Sequence, residues 1–146
     1  AALEGRIDSL IDRLRMADFA DRRSKGFSKG QTLKVALARA LVHEPANVIL
    51  DEPTNGLDIE SSRAVRELIR EIRDQGRCVL FSSHIMGEVE ALCDRIIVIS
   101  DGLIVANGAP EELRRATGRE DLEDVFMAAV AAGADPESGL IGSNRA

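Results

Sequence analysis

Two short aliphatic runs constrain this chain more than any other feature. Val48-Ile49-Leu50 and Cys78-Val79-Leu80-Phe81 are too short for helices, and polar, chemistry-bearing residues follow each at once: Asp51-Glu52 and Ser82-Ser83-His84. Between them Val65, Leu68, Ile69 and Ile72 recur on one helical face, and Gly76 supplies a stop. Continuous apolar strands on either side of an amphipathic helix read as buried strands of a parallel sheet joined by a crossover. Ile96 to Ile99 reads as a third strand, after a short helix carrying Val89 and Leu92. The expected fold class is therefore α/β with a mainly parallel sheet. Ligands of such sheets bind beyond the carboxyl ends of the strands, where Asp51, Glu52 and His84 fall.

The flanking sequence reads as further helices and one hairpin. Ile7, Leu10, Ile11 and Leu14 make an apolar stripe on a helix over 3–16. A charged connector from Asp18 to Lys25 and a Gly-flanked loop, 26–30, lead to a second helix from Thr32 that Pro45 stops. Asn55-Gly56 marks a turn within 54–58. Asp101-Gly102 turns the third strand back into Leu103-Ile104-Val105 as a hairpin. Pro110 opens a short helix, and 121–130 forms the last. The tail from Gly133 is rich in Gly, Ser, Ala and Asp and is expected to be disordered.

Composition removes several functions. The 146 residues include four Phe but no Trp or Tyr, which argues against a base-stacking platform for single-stranded nucleic acid. A net charge of -6 argues against binding a phosphate backbone, so no nucleic-acid partner is expected. Cys78 and Cys93 form neither a disulfide framework nor a zinc spacing, and read as small core residues in a reducing compartment. No apolar run approaches the roughly 20 residues of a membrane span, and no export signal follows Ala1. A cytoplasmic protein is expected.

Three places carry candidate chemistry, and each also has a purely structural reading. Asp51 could hold a hydrated Mg²⁺ while Glu52 reaches an attacking water; equally, the pair could be surface acids capping the next element. His84 could contact a phosphate, or follow a Ser83 helix cap incidentally. Phe27-Ser28-Lys29-Gly30-Gln31 leads into a helix N-terminus, where free N–H groups, a hydroxyl and the dipole attract anions; Ser28 could also be an ordinary cap. His43 sits at a helix end, complements the dipole there, and is assigned no function.

In their order and wording these segments resemble the ATP-binding subunit of an ABC transporter. Phe27 to Gln31 is similar to the signature sequence, usually LSGGQ. Val48 to Glu52 resembles the Walker B strand with its catalytic Glu. Pro53-Thr54-Asn55-Gly56-Leu57-Asp58 resembles the D-loop, and Ser82-Ser83-His84 the switch histidine. Leu37 to Leu41 and Asp94-Arg95-Ile96 also read like the family. The resemblance runs from about residue 3 to about residue 131, and Leu122 to Phe126 resembles the branch serving sodium, drug or polysaccharide exporters.

Two departures stand out. Phe27 and Lys29 replace Leu and Gly of the signature, although Ser28 and the helix start are kept. No G-x-x-x-x-G-K-[ST] phosphate cradle occurs, and only 26 residues precede the signature. The glutamine loop and the adenine-stacking aromatic are not found either. The resemblance therefore covers only the C-terminal portion of the nucleotide-binding domain. It implies a partial P-loop NTPase (RecA-like) core: 1–31 a remnant of the helical subdomain ending in the signature, 32–109 the later ATPase core, 110–131 C-terminal helices, and 132–146 a tail. A sheet lacking the Walker A strand should have an open apolar edge.

The resemblance also implies roles. Asp51 would bind Mg²⁺ through water, Glu52 would act as general base, and His84 would contact the γ-phosphate. Ser28, Lys29, Gly30 and Gln31 would meet ATP held by a second, head-to-tail nucleotide-binding subunit, and Asp58 would lie at the seam. A membrane-spanning permease would hold the subunit at the inner face of the cell membrane. Alone, the chain is expected neither to bind ATP tightly nor to hydrolyse it. Two other readings are kept: a non-catalytic module lending its signature face to a complete partner, and a fragment of a soluble ABC ATPase outside transport.

Overall fold

The computed structural model describes residues 2–133. Two compact units divide the chain, one ending at His84 and the other beginning at Ile85. The first holds α1 (Ala2–Arg13), α2 (Lys29–Leu41), β1 (Asn47–Leu50), α3 (Ile59–Asp74) and β2 (Cys78–Phe81). β1 and β2 pair in parallel, as the helical crossover requires. α3 buries Ser61, Ala64, Val65, Leu68, Ile69 and Ile72, a stripe at i, i+3, i+4, i+7, i+8 and i+11. Gly76 ends it with φ 77°, donating its N–H to the Arg73 carbonyl at 2.8 Å.

The sequence reads as strands buried on both faces, but the structure buries one face only. Val48 and Leu50 are buried, whereas Ile49 is 78% exposed and Leu80 55% exposed. Cys78, read as a core residue, is exposed at the start of β2. Among the described residues β1 and β2 form a two-stranded sheet, so both are edges and one apolar face has no cover.

The helices begin and end differently from their periodicity. α2 starts three residues before Thr32, because Ser28 caps it. α1 ends at Arg13 rather than residue 16, and Arg15 then turns left-handed with φ 51°. Of its stripe Leu10 and Leu14 are buried but Ile7 is exposed. The charged connector is not wholly solvated. Phe19 inside it is buried and meets Phe27 edge-on, with centroids 5.3 Å apart.

The second unit holds α4 (Met86–Leu92), β3 (Ile96–Ser100), β4 (Leu103–Gly108), α5 (Pro110–Thr117) and α6 (Leu122–Gly133). β3 pairs antiparallel with β4, as the expected hairpin requires. Asp101 and Gly102 close this hairpin with φ 49° and 77°, the two positive values of a type I′ turn. Val98, Val105, Ala106, Leu113, Val125 and Ala129 are among the residues of its core. Arg114 bridges Glu90 and Glu111 and donates to the Glu120 carbonyl, tying α4 to α5. Cys93 is partly buried. Burial, and then the charge of Asp94, push its thiol up to about 11. Of the expected tail over 132–146, residues 132 and 133 belong to α6, and the rest lies outside the described residues.

Candidate functional site

The parallel register sets the first cluster. Leu50 pairs with Phe81, so Asp51 and Ser82 leave the sheet side by side, and the Ser82 N–H donates to the Leu50 carbonyl at 3.0 Å. Ser82 Oγ donates to Asp51 Oδ1 at 2.5 Å and accepts the Glu52 N–H at 2.9 Å. Glu52 has φ 43°, a left-handed conformation that costs a non-glycine residue on the order of 1–3 kcal/mol. Its carboxylate is held on both oxygens. Asn55 Nδ2 donates to Oε2 at 2.6 Å, and His84 Nδ1 lies 3.1 Å from Oε1. Both side chains remain open to solvent, 41% exposed for Glu52 and 67% for His84, which is where a soluble substrate could reach them.

This arrangement bears on the structural readings of the same residues. The N-cap position of α4 is Ile85 rather than Ser83. Asp51 and Glu52 cap no helix either: the cap of α3 is Asp58, which accepts the Ser61 N–H and the Ser61 hydroxyl, each at 2.8 Å. Those two bonds, backbone first, and the charge of Lys34 hold the Asp58 carboxyl below its usual range.

The second cluster is the start of α2. Ser28 and Gln31 form a capping box: Ser28 Oγ accepts the Gln31 N–H at 3.1 Å, and Gln31 Oε1 accepts the Ser28 N–H at 3.0 Å. The Ser28 hydroxyl proton and the Gln31 amide NH₂ are not consumed by the box, and remain as donors. Gly30 packs against the 53–58 turn; a Cβ there would come within 3.3 Å of Leu57 Cδ2. The Lys29 side chain lies over Gly56, whose φ is 77°. The signature-like loop and the D-loop-like turn are therefore packed together, with Asp58 at the far end of that turn.

Three contributors escape the sequence reading. Ser82 and Asn55 complete the first cluster, and Lys34, buried on α2, reaches the Arg15 carbonyl at 3.4 Å. The strand register is the signal that would have found Ser82. Among the described residues no group of three or more His, Cys, Asp or Glu could hold a metal. A single carboxylate, Asp51, suits a hydrated Mg²⁺ that takes its remaining ligands from water and substrate phosphates.

Known proteins resemble this chain over most of its length. The family model for ABC transporters matches residues 2–55. The ABC transporter ATP-binding protein NatA of Bacillus subtilis is 47% identical over 131 residues, covering 90% of this chain and 53% of the relative. The Nod factor export ATP-binding protein I of Rhizobium meliloti is 40% identical over 76% of this chain and 33% of its own length. The phosphonates import ATP-binding protein PhnC of Ruegeria pomeroyi is 38% identical over 76% and 41%. A solved ATP-binding subunit of an ABC transporter superposes with a TM-score of 0.82 at 30% identity, over 88% of this chain and 55% of that one. A partial RecA-like α/β fold is thus established. The chain belongs to the ABC transporter ATP-binding family, and spans about half the length of the first of these relatives.

Proposed function

We propose that this chain supplies the Walker B, signature, D-loop and switch-histidine side of an ATP site in an ABC transporter's ATP-hydrolysing subunit. The observation that carries the proposal is the meeting of Asp51, Glu52 and His84 at the carboxyl ends of β1 and β2. Glu52 is the general base: Asn55 and His84 orient its carboxylate, and each oxygen keeps a further lone pair for an attacking water. Asp51 would hold Mg²⁺ through water, and the ion would supply charge neutralisation to the phosphates. His84 contacts the γ-phosphate. A carboxylate only accepts, so Nδ1 carries the hydrogen toward Glu52. Donation from Nε2 to phosphate then requires a protonated ring or release of Glu52.

Ser28, Lys29, Gly30 and Gln31 meet ATP bound by a second subunit, and Asp58 lies at the seam between the two. The phosphate cradle, absent from the 146 residues, is contributed by the rest of a longer protein. That protein acts with a permease at the cytoplasmic face of a membrane; among the described residues no helix could itself cross one. Export is favoured over import by the C-terminal resemblance and by the Nod factor relatives, although a phosphonate import relative also matches.

Equilibrium titration of the chain with a fluorescent ATP analogue and Mg²⁺ tests the division of labour. Binding weaker than millimolar is expected for the chain, and micromolar binding for the full-length subunit. Micromolar affinity in the chain alone would overturn it.

A further inference from the structure

We propose that Ser82 is a positioning residue that locks the two strand-end acids, Asp51 and Glu52, into one working arrangement through its single hydroxyl. The inference rests on the ATPase reading above. A serine hydroxyl has one proton to donate and two lone pairs to accept with. Here the proton goes to Asp51 Oδ1 at 2.5 Å, and one lone pair takes the Glu52 N–H at 2.9 Å. The same side chain, just past the end of the neighbouring strand, thereby fixes the metal-side carboxylate and the backbone of the base.

The Glu52 conformation gives the link its force. A left-handed glutamate persists only where its surroundings over-determine it, and the Ser82 hydroxyl takes the N–H at the point of strain. Asn55 and His84 hold the same residue from its carboxylate end. Without the hydroxyl, Glu52 can relax toward a right-handed backbone and carry its carboxylate away from both. Asp51 loses the bond that fixes its rotamer at the same time. The effect should fall on chemistry rather than on folding, because Ser82 is exposed and makes little contribution to the core.

The test uses the full-length subunit with four changes: Ser82→Ala, Ser82→Val, Ser82→Thr and Glu52→Gln. Steady-state ATP hydrolysis and amide hydrogen exchange at Glu52 are measured for each. Ser82→Ala and Ser82→Val should lower kcat about tenfold or more, with KM for ATP within about threefold, since displaced reacting groups cost rate more than binding. Both should speed Glu52 exchange by a similar factor. Ser82→Thr, which restores the hydroxyl, should recover most of kcat and of the exchange protection. Unchanged Glu52 exchange in Ser82→Ala overturns the proposal whatever the kinetics show. So does unchanged kcat, or a Thr variant no better than Val. Turnover indifferent to Glu52→Gln overturns instead the reading of Glu52 as base, and the catalytic half of this proposal with it; the exchange result then still decides whether the link exists.

Discussion

Replacing Ile49 and Leu50 by alanine, one at a time, should separate the two faces of the β1–β2 sheet. Each change removes three carbons, about 2.4 kcal/mol at about 0.8 kcal/mol per buried carbon. Leu50 is 7% exposed, so nearly all of that is lost and the cavity left behind raises the cost to about 2–5 kcal/mol. Ile49 is 78% exposed, so only about a fifth counts, about 0.5 kcal/mol. The loss of strand propensity falls more on the β-branched Ile49 than on Leu50, within the roughly 1 kcal/mol span of such preferences. The assay is urea unfolding of the chain followed by circular dichroism, with the midpoint shift converted through a common m-value. Ile49→Ala costing as much as Leu50→Ala would refute the reasoning, because the open face would then be covered in the folded chain. In the full-length subunit the two costs should converge, since the remainder of the protein is proposed to cover that face.

Three further outcomes follow from the geometry. Ser28→Ala removes the acceptor for the Gln31 N–H and should lower stability by about 1 kcal/mol in the same urea assay; no change would mean that the capping box is not formed. Alkylation at pH 8 should modify exposed Cys78 well before Cys93, whose thiol is pushed up to about 11; equal rates by mass spectrometry would contradict this. The Asp58 carboxyl is held below its usual 3.8, so its contribution to stability is fully present above that value. It is lost as pH falls through the lowered folded value, and Asp58→Asn should therefore flatten the acid limb of a melting-temperature profile; an unchanged limb would remove Asp58 from the acid response.

Elements with a strong period were legible in the sequence. The α3 stripe and the Asp101-Gly102 hairpin follow from local pattern, and the parallel β1–β2 pairing follows from the amphipathic crossover between two aliphatic runs. Burial was less legible. Ile49 and Leu80 have the composition of fully buried strand residues, but composition cannot say whether a second layer lies over a face. Phe19 was hidden inside a charged run, since tertiary packing against Phe27 decides its place.

At the candidate site, Asp51, Glu52 and His84 could be singled out because they follow strands. The side chains that organise them could not. Ser82 and Asn55 act through hydrogen bonds that depend on strand register and on a left-handed backbone at Glu52, and neither is a property of residue type. The placement of the Lys29 side chain over Gly56 likewise depends on how the 53–58 turn packs on the start of α2, not on residue type.

If Glu52 is the base of an ATPase, removing its charge must stop hydrolysis without releasing ATP. Single-turnover hydrolysis of Mg·ATP by the full-length subunit, compared with its Glu52→Gln variant, tests it most directly. The variant should bind ATP as tightly as the unaltered subunit but lose hydrolysis by about a hundredfold or more, the scale of a positioned general base. Hydrolysis continuing in the variant at a rate close to that of the unaltered subunit would contradict it.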